Sequence, residues 1–504
     1  MNKEKILLFN PKAATYGFRI PNSILQVAAS IQDNYDYVIV DGNREEDPWG
    51  KINGYLSSGK IDYFCLSVMP GPQLKQAIPY SKKSRELFPH IKVIWGGYFA
   101  SNQYKVVLDS GYVDYIIDGP GDAAFPELLG RIGRKEDLHG IKNLIYIDNG
   151  KIVKGPREAL LNQDELPRFP YEKLNDFYSI KGYLPKTHLG KNTASYHSSM
   201  GCPFSCSFCG IVPIYNARWK AKSAKLVYQD VLKLKNEYGA DSVEFHDNNF
   251  YTSEKRVAEF SKLMLNENMT WWGEGRIDTI NKYSDETLQL MSDSGCTMIF
   301  LGAETGSDEV LKQMNKGGTQ TGAQILKFAE RMGQFGIVPE YSFVLGMPGE
   351  DPIKVMAQID ADIDFIKKVK VVNPDTEIII YLYSPVPTEG SELYDQIRKI
   401  GFDFPKKLED WLNPAWENFD LRKNPLTPWL TPEMVDKVRN FETVLNGYYP
   451  TQSDFRIKGW KKGLLRLSAS WRYASNTYKY PYEIKVLHKI WKYRQPEIEG
   501  FYSE

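Results

Sequence analysis

The stretch TASYHSSMGCPFSCSFCG, residues 193–210, joins a short β-type run to a loop with three cysteines. Cys202, Cys206 and Cys209 follow the spacing C-x3-C-x2-C, and the whole chain of 504 residues has only five cysteines. Thiolates are the soft ligands that iron–sulfur clusters prefer. Three of them leave one iron of a [4Fe–4S] cluster without a protein ligand, and catalytic metals keep such an open position. A zinc site is disfavoured, because zinc would need a fourth ligand nearby. We therefore predict that these cysteines are the metal ligands of an iron–sulfur cluster and the centre of the catalysis.

Strand-like and helical segments alternate on the C-terminal side of this loop. Six such repeats predict a partial (β/α)6 barrel similar to a TIM barrel over residues 192–400, with its chemistry at the C-terminal ends of the strands. The cysteine loop follows the first of these strands. The six strand-like segments read ASYHSSM, DSVEFHD, TWWGEGR, TMIFLGAE, VPEYSFVLG and EIIIYLY.

Residues 1–142 show a similar alternation, built on the runs KILLF, YVIVD, YFCLSVM, KVIWGG and DYIIDG. This pattern predicts an α/β domain with a doubly wound, Rossmann-like parallel sheet that binds its ligand at the carboxyl ends of the strands. The turn at residues 10–14 lacks Gly-x-Gly-x-x-Gly, which argues against a dinucleotide site. Residues 143–191 read as a hairpin at Asp148-Asn149-Gly150 followed by a Pro-rich linker.

Residues 401–504 predict a mainly helical region whose end is basic and aromatic. Between residues 451 and 494, eleven Lys and Arg stand against Asp454 and Glu483. Two interpretations remain open: a solvated helical cap, or a patch for a membrane surface or an anionic substrate. The formal net charge is +0, so we expect no binding to nucleic acid. The sequence shows no secretory signal and no apolar run of about 20 residues. We therefore expect a cytoplasmic protein that associates with membranes at most peripherally.

The motif C-x3-C-x-aromatic-C, with Phe208 at the aromatic position, resembles the radical S-adenosylmethionine (SAM) superfamily. The resemblance implies that Phe208 lies beside the adenine and that the open iron binds the amino and carboxylate groups of SAM. An electron from a donor such as flavodoxin or ferredoxin then cleaves SAM to a 5′-deoxyadenosyl radical. Residues at later strand ends resemble further parts of the family pattern. Implied SAM contacts are Asp247 and Asn248 for the amino group, Arg276 for the carboxylate, Glu304 and Ser307 for the ribose or methionyl end, and Gly346 for close backbone approach.

The N-terminal domain resembles that of the cobalamin-binding radical SAM enzymes. The resemblance lies at three strand ends, and the implied cobalamin contacts are Ser67, Val68, Met69, Gly96, Gly97, Tyr98, Gly119, Gly121 and Asp122. Tyr98 and Asp122 belong to segments that depart from the usual Gly-Gly-x-His and Gly-Glu-Gly-Glu motifs. No Asp-x-His-x-x-Gly occurs in this domain, which implies base-off cobalamin without a histidine ligand. The alternative is a degenerate βα domain kept as a scaffold.

The resemblance implies a cobalamin-dependent radical SAM methyltransferase that methylates an unactivated carbon of a small-molecule or lipid-like substrate. One alternative uses the same cofactors in a ring-forming or ring-contracting oxidoreductase. The other is an iron–sulfur redox sensor or electron carrier, which would need a fourth ligand to bury its cluster.

Overall fold

The computed structural model describes residues 5–14, 17–316, 319–416, 426–454, 457–491 and 493. A seven-stranded sheet forms the N-terminal part, in the order β2-β1-β3-β4-β5-β6-β7. Strands β1 to β5 are parallel, and β6 and β7 form an antiparallel hairpin on the β5 edge. The strands are β1 (Lys5–Asn10), β2 (Asp36–Asp41), β3 (Ile61–Ser67), β4 (Lys92–Gly96), β5 (Tyr115–Ile117), β6 (Leu144–Asp148) and β7 (Lys151–Lys154).

Both faces of this sheet are buried, as in a doubly wound fold. On one face, Ile6 and Leu8 belong to the core that includes Leu25 of the first helix. On the other, Leu7 and Phe9 pack into a separate core under the second and third helices. The helices are α1 (Asn22–Ile31), α2 (Pro48–Ser57), α3 (Leu74–Leu87), α4 (Tyr98–Asn102), α5 (Tyr104–Asp109) and α6 (Ala124–Arg134). The predicted α/β class and five strands are confirmed.

The Pro-rich segment after the hairpin contains the short helix α7 (Tyr171–Phe177) and packs on the end of β2. The Tyr183 hydroxyl donates a hydrogen bond of 2.7 Å to the buried carboxylate of Asp41. This contact ties the segment to the first sheet.

A second sheet of six parallel strands follows, in the order β15-β14-β13-β12-β11-β8, and a small antiparallel pair, β9 with β10, lies beside it. Its two end strands do not pair with each other, so the barrel is partial, as predicted. The strands are β8 (Thr193–Tyr196), β9 (Ser199–Gly201), β10 (Trp219–Ala221), β11 (Ser242–Phe245), β12 (Thr270–Gly275), β13 (Cys296–Glu304), β14 (Val338–Leu345) and β15 (Glu377–Leu382). Their helices are α8 (Val212–Tyr215), α9 (Ala224–Tyr238), α10 (Glu254–Met264), α11 (Ile277–Ile280), α12 (Asp285–Asp293), α13 (Asp308–Gln313), α14 (Gly322–Gln334) and α15 (Pro352–Val372).

The described C-terminal part is mainly helical, as predicted. Helix α16 (Glu392–Lys399) precedes it, and it includes α17 (Pro432–Tyr448), α18 (Trp460–Ser475) and α19 (Tyr482–Trp491). Residues 494–504, the end of the predicted C-terminal region, lie outside the described residues. Within the described ranges, none of the helices has both the length and the apolar character needed to cross a membrane.

Candidate active site

The cysteine loop leaves β9 and is held in place by hydrogen bonds from the far end of α13. The Ser207 amide donates to the Met314 carbonyl over 3.1 Å, and the Asn315 side chain donates to the Ser205 carbonyl over 2.7 Å. Within the loop, the Cys209 amide donates to the Cys206 carbonyl over 3.2 Å. Neither these two cysteines nor Cys202 forms a disulfide, so all three thiols are available as ligands.

Arg276, at the end of β12, reaches the centre of this loop. Its guanidinium donates a hydrogen bond of 3.0 Å to the Sγ of Cys206 and two more, of 2.9 and 2.7 Å, to Asp278. It also lies 3.9 Å from the ring centroid of Phe204. Burial alone would lower the pKa of Arg276, but Asp278 and the cysteines raise it, so the guanidinium stays a cation that favours thiolate.

The donor set fits an iron–sulfur cluster. Burial raises the pKa of the Cys202 thiol, so ligation there must release a proton. The fully buried Asn249 amide faces the same thiol and acts against the effect of burial by lowering the pKa of Cys202. No group of three His, Cys, Asp or Glu surrounds a single metal position in the described ranges. A four-iron cluster binds each cysteine through a different iron, so its ligands need not converge on one point.

Glu304 is the last residue of β13, and Ser307 follows the strand at the same end of the sheet. Glu304 has a φ of +64° and pairs through Oε1 with the Lys316 ammonium at 2.7 Å, both side chains being buried. A left-handed conformation is costly for a residue with a Cβ and is found where strain serves a site. The Ser307 hydroxyl caps α13 by accepting from the Val310 amide at 3.4 Å. In this state both predicted side chains are engaged with the protein.

Asp247 and Asn248 follow β11 and differ in their surroundings. Asp247 is fully buried, and its carboxylate accepts from the amide and hydroxyl of Ser198 at 3.0 and 2.9 Å and from the Ser199 hydroxyl. It thereby fixes the corner that leads from β8 into the cysteine loop. Asn248, the next residue, is exposed.

Phe208 lies within the cysteine loop, and Gly346 directly follows β14. Phe208 packs against an apolar cluster that includes Met347 and Tyr383. Gly346 has a φ of +77°, and its carbonyl accepts a 3.0 Å hydrogen bond from the indole of Trp429. The chain turns sharply after β14 at this glycine.

A line of charged side chains occupies the sheet face opposite the one that packs on α10. The Arg19 guanidinium lies 2.8 Å from the carboxylate of Glu244, which also contacts the His246 imidazole at 3.1 Å. The other ring nitrogen of His246 lies 3.7 Å from the Glu274 carboxylate. Burial opposes protonation of His246, but the two carboxylates outweigh it and raise its pKa. Burial lowers the pKa of neighbouring His197 to about 4.

The predicted cobalamin residues lie together along the carboxyl edge of the first sheet. Gly97 has a φ of +90°, and a Cβ there would stand 2.7 Å from the Val68 amide nitrogen. The Gly119 amide, after β5, donates a 3.0 Å hydrogen bond to the Ser101 hydroxyl. Val68 is buried at this edge, and Asp122 is hydrogen-bonded to Gln26. The predicted residues other than Val68 are partly or fully exposed: Ser67, Met69, Gly96, Gly97, Tyr98, Gly119, Gly121 and Asp122.

The two strand-end regions meet at the cysteine loop. A Cβ on Gly210, directly after Cys209, would overlap the hydroxyl of Tyr98. The Asn102 side chain donates a 3.0 Å hydrogen bond to the Gly210 carbonyl. The first sheet therefore presents its carboxyl edge to the loop that carries the thiols.

Several residues that shape this region were not predicted. Asp278, two positions after Arg276, could have been found from the Gly-Glu-Gly-Arg-Ile-Asp run, because an arginine buried at a strand end needs a partner. Asn249 lies directly after the predicted Asp247 and Asn248 in the same loop, so it could have been found with them. Lys316 and Arg19 carry no comparable local signal, since they reach the site from other loops.

Comparison with known proteins identifies the second part of the chain. Residues 196–360 match the radical SAM superfamily, a range that contains the three cysteines and Arg276, Glu304 and Gly346. The chain contains a radical SAM domain. Such a domain works with a [4Fe–4S] cluster and SAM, so this protein is an enzyme with these two cofactors.

Relatives extend beyond the radical SAM domain. An uncharacterized methyltransferase of Pyrococcus horikoshii is 26% identical over 383 residues, which are 74% of this chain and 79% of the relative. The radical SAM methyltransferase TsrM of Kitasatospora setae, solved with tryptophan and a SAM analogue, superposes with a TM-score of 0.67 at 16% identity, covering 97% of this chain and 100% of TsrM. The cobalamin-dependent radical enzyme OxsB, solved with aqua-cobalamin, superposes with a TM-score of 0.63 at 17% identity. The match covers 99% of this chain and 70% of OxsB. Both structures share the two-sheet fold.

Proposed function

We propose that this protein is a cobalamin-dependent radical SAM methyltransferase that methylates an unactivated carbon of a small-molecule or lipid-like substrate. The observation that carries the proposal is the contact of Tyr98 and Asn102 with Gly210. It brings the accessible edge of the first sheet against the loop of cluster cysteines. The names of the Pyrococcus relative and of TsrM support methyl transfer, and the name of OxsB supports cobalamin as a cofactor.

Cys202, Cys206 and Cys209 would hold the cluster, and the glycine-containing edge at Ser67–Met69, Gly96–Tyr98 and Gly119–Asp122 would hold cobalamin. When bound, the cluster with SAM supplies a radical that removes hydrogen from carbon, and cobalamin supplies a methyl group. Gly97 supports the fit, because its left-handed backbone and lack of a side chain leave the first sheet's edge flat beside Val68.

The chain's own residues organise this chemistry through charge and exclusion of water. Arg276 donates a hydrogen bond to the Cys206 sulfur and is itself held by Asp278. In our proposal the carboxylate of SAM accepts a charge-assisted hydrogen bond from this same guanidinium. Phe208 and its apolar neighbours exclude water on the β14 side of the loop. We further propose a flavodoxin or ferredoxin as electron donor, and contact of the C-terminal helices with a membrane.

An anaerobic product assay tests the proposed reaction. Protein reconstituted with iron, sulfide and cobalamin is incubated with SAM, reductant and candidate substrates. We expect 5′-deoxyadenosine, S-adenosylhomocysteine and a methylated product. Deoxyadenosine with a cyclised or contracted product and no homocysteine derivative would instead support the oxidoreductase. An intact cluster that yields no deoxyadenosine would contradict both reactions.

A pair of glycine variants tests the cobalamin site. Gly97→Ala places a Cβ 2.7 Å from the Val68 amide nitrogen, whereas Gly111→Ala, also at positive φ, meets no atom within 4 Å. Both substitutions strain a backbone of positive φ, but only Gly97→Ala alters the edge proposed to bind cobalamin. Gly111→Ala therefore controls for the strain. We expect Gly97→Ala to lose cobalamin absorbance while iron content and circular dichroism stay as in Gly111→Ala. Equal cobalamin content in both variants would contradict this assignment.

A further inference from the structure

Helix α18 presents an apolar stripe to solvent. Trp460, Leu464, Leu467 and Trp471 lie at spacings of four, three and four residues, which place them on one helical face. All four are exposed, between 40% and 71%. The opposite face carries Leu465 and Ala469, which are buried against α17 and α19. The helix is therefore apolar on both sides, although only one side has a partner in the described structure.

Helix α19 and the turn before it continue this surface. Tyr482, Val486 and Ile490 share the exposed face of the helix, and the Tyr480 ring stacks on that of Tyr482 with centroids 5.8 Å apart. Ile484 is buried on the opposite face. The ring of Trp460 meets that of Trp491 edge-on at 5.8 Å, which sets the two helices side by side. Of the seventeen exposed large apolar side chains in the described ranges, eight belong to these two helices and their connection.

The surroundings of the stripe are strongly cationic. Residues 460–491 contain seven Lys and Arg and one acidic residue, Glu483, whose carboxylate pairs with Arg472. Lys461 and Arg466 flank the stripe on α18, and Lys485 and Lys489 flank it on α19. Tryptophan and tyrosine prefer the boundary between lipid and water, where lysine and arginine reach the headgroups. The charge complements an anionic surface.

We infer that α18 and α19 form a docking face that lies in the surface of an anionic bilayer, with the apolar stripe among the acyl chains and the flanking cations at the headgroup phosphates. This arrangement is that of interfacial helices, which bind a membrane without crossing it. The inference deepens the proposed function, on which it rests for a lipid-like substrate taken from the bilayer. A second copy of the chain would cover the apolar stripe but would bring the two cationic surroundings together, at an electrostatic cost.

Vesicle binding by the full-length reconstituted protein tests this face. The probes are vesicles of phosphatidylcholine alone and of phosphatidylcholine mixed with phosphatidylglycerol, read out by co-sedimentation. We expect binding to the mixed vesicles that weakens with salt. Leu467→Ser with Trp471→Ser should weaken this binding about tenfold or more, because the apolar insertion is lost. Lys461→Glu with Lys485→Glu should weaken binding to the anionic vesicles and not to phosphatidylcholine.

The matched control is Ile353→Ser with Leu87→Ser, which removes apolar side chains of 80% and 58% exposure outside this face. It should bind vesicles as the native protein does. Light scattering separates the alternative: a native dimer that the stripe variant dissociates, without vesicle binding, would overturn the inference. Vesicle binding that the stripe variant leaves unchanged would also overturn it. Deoxyadenosine formation in detergent-free buffer should be equal in all variants, so failure of docking is distinguishable from failure of the proposed reaction.

Discussion

At the scale of single residues, Cys206 and Cys296 differ in their surroundings. Cys206 lies on the cysteine loop, where its Sγ accepts a 3.0 Å hydrogen bond from the Arg276 guanidinium, whereas Cys296 lies in β13, where burial raises the pKa of its thiol to about 12. The thiolate is the form that binds iron. Position in the fold therefore distinguishes Cys206, a proposed cluster ligand, from Cys296, a cysteine of the core.

This division predicts different results for two serine variants. Cys206→Ser should abolish stable cluster loading and deoxyadenosine formation, because one of three iron ligands is removed. Cys296→Ser, the matched control, should keep both. Iron and sulfide per chain and the anaerobic SAM cleavage assay measure the outcome. A fully loaded, active Cys206→Ser protein would show that the ligands are misassigned.

The buried pair of Arg276 and Asp278 predicts strong coupling. Arg276→Gln leaves the Asp278 carboxylate buried without its partner, and we expect a loss of about 3–5 kcal/mol in the free energy of unfolding. Arg276→Gln with Asp278→Asn removes both charges and should recover most of that loss, yet remain poor in SAM cleavage. Denaturant unfolding of the two variants measures this coupling. Additive losses would mean that the two side chains do not act as a pair.

At the scale of elements, the end of β13 is held by α15. The Asp362 carboxylate accepts from the Thr305 hydroxyl at 2.6 Å and from the Gly306 amide at 3.1 Å. Burial, only partly opposed by these two hydrogen bonds, raises the pKa of Asp362 to about 6. The turn that follows the strained Glu304 therefore depends on a carboxyl group that binds a proton more tightly in the folded than in the unfolded protein.

Asp362→Asn tests this dependence through pH. A raised pKa in the folded state gives stability that is complete below the unfolded pKa and is lost as pH rises through about 6. Asparagine does not titrate, so the native protein should lose up to about 3 kcal/mol relative to Asp362→Asn between about pH 4 and pH 7.5. Unfolding free energies of both proteins over this range measure the difference. A difference independent of pH would refute the raised pKa.

At the scale of the whole molecule, the two sheets meet where Tyr98 covers Gly210. Arg19 makes a second connection, from the loop before α1 to Glu244 of β11 at 2.8 Å. Because both contacts join the carboxyl ends of the two sheets, they set the distance between the proposed cofactors.

Gly210→Ala should separate the two halves of the reaction. Its Cβ forces Tyr98 away, so we expect cluster loading and deoxyadenosine formation to persist while the methylated product falls about tenfold to a hundredfold from misplacement. Gly54→Ala, on α2 with no atom within 4 Å of its Cβ, is the control. The ratio of methylated product to deoxyadenosine measures the effect. An unchanged ratio would mean that this contact does not position the cofactors.

Local sequence determined most of the fold and the centre of the site. Alternation of strand and helix predicted both parallel sheets, since burial on both faces makes such strands continuous apolar runs. The three cysteines could be proposed as metal ligands from the sequence because they lie on one loop, within eight residues. Their spacing needs no knowledge of distant contacts.

Tertiary structure alone decided which side chains surround that trio. Lys316 meets Glu304, Arg19 meets Glu244, and Tyr98 meets Gly210 across chain separations that no local pattern encodes. Tertiary packing likewise determined which apolar side chains of the basic, aromatic tail are exposed, because one face of α18 is buried and the other is not. Periodicity places residues on a face, but the packing of neighbouring elements determines whether that face is core or surface.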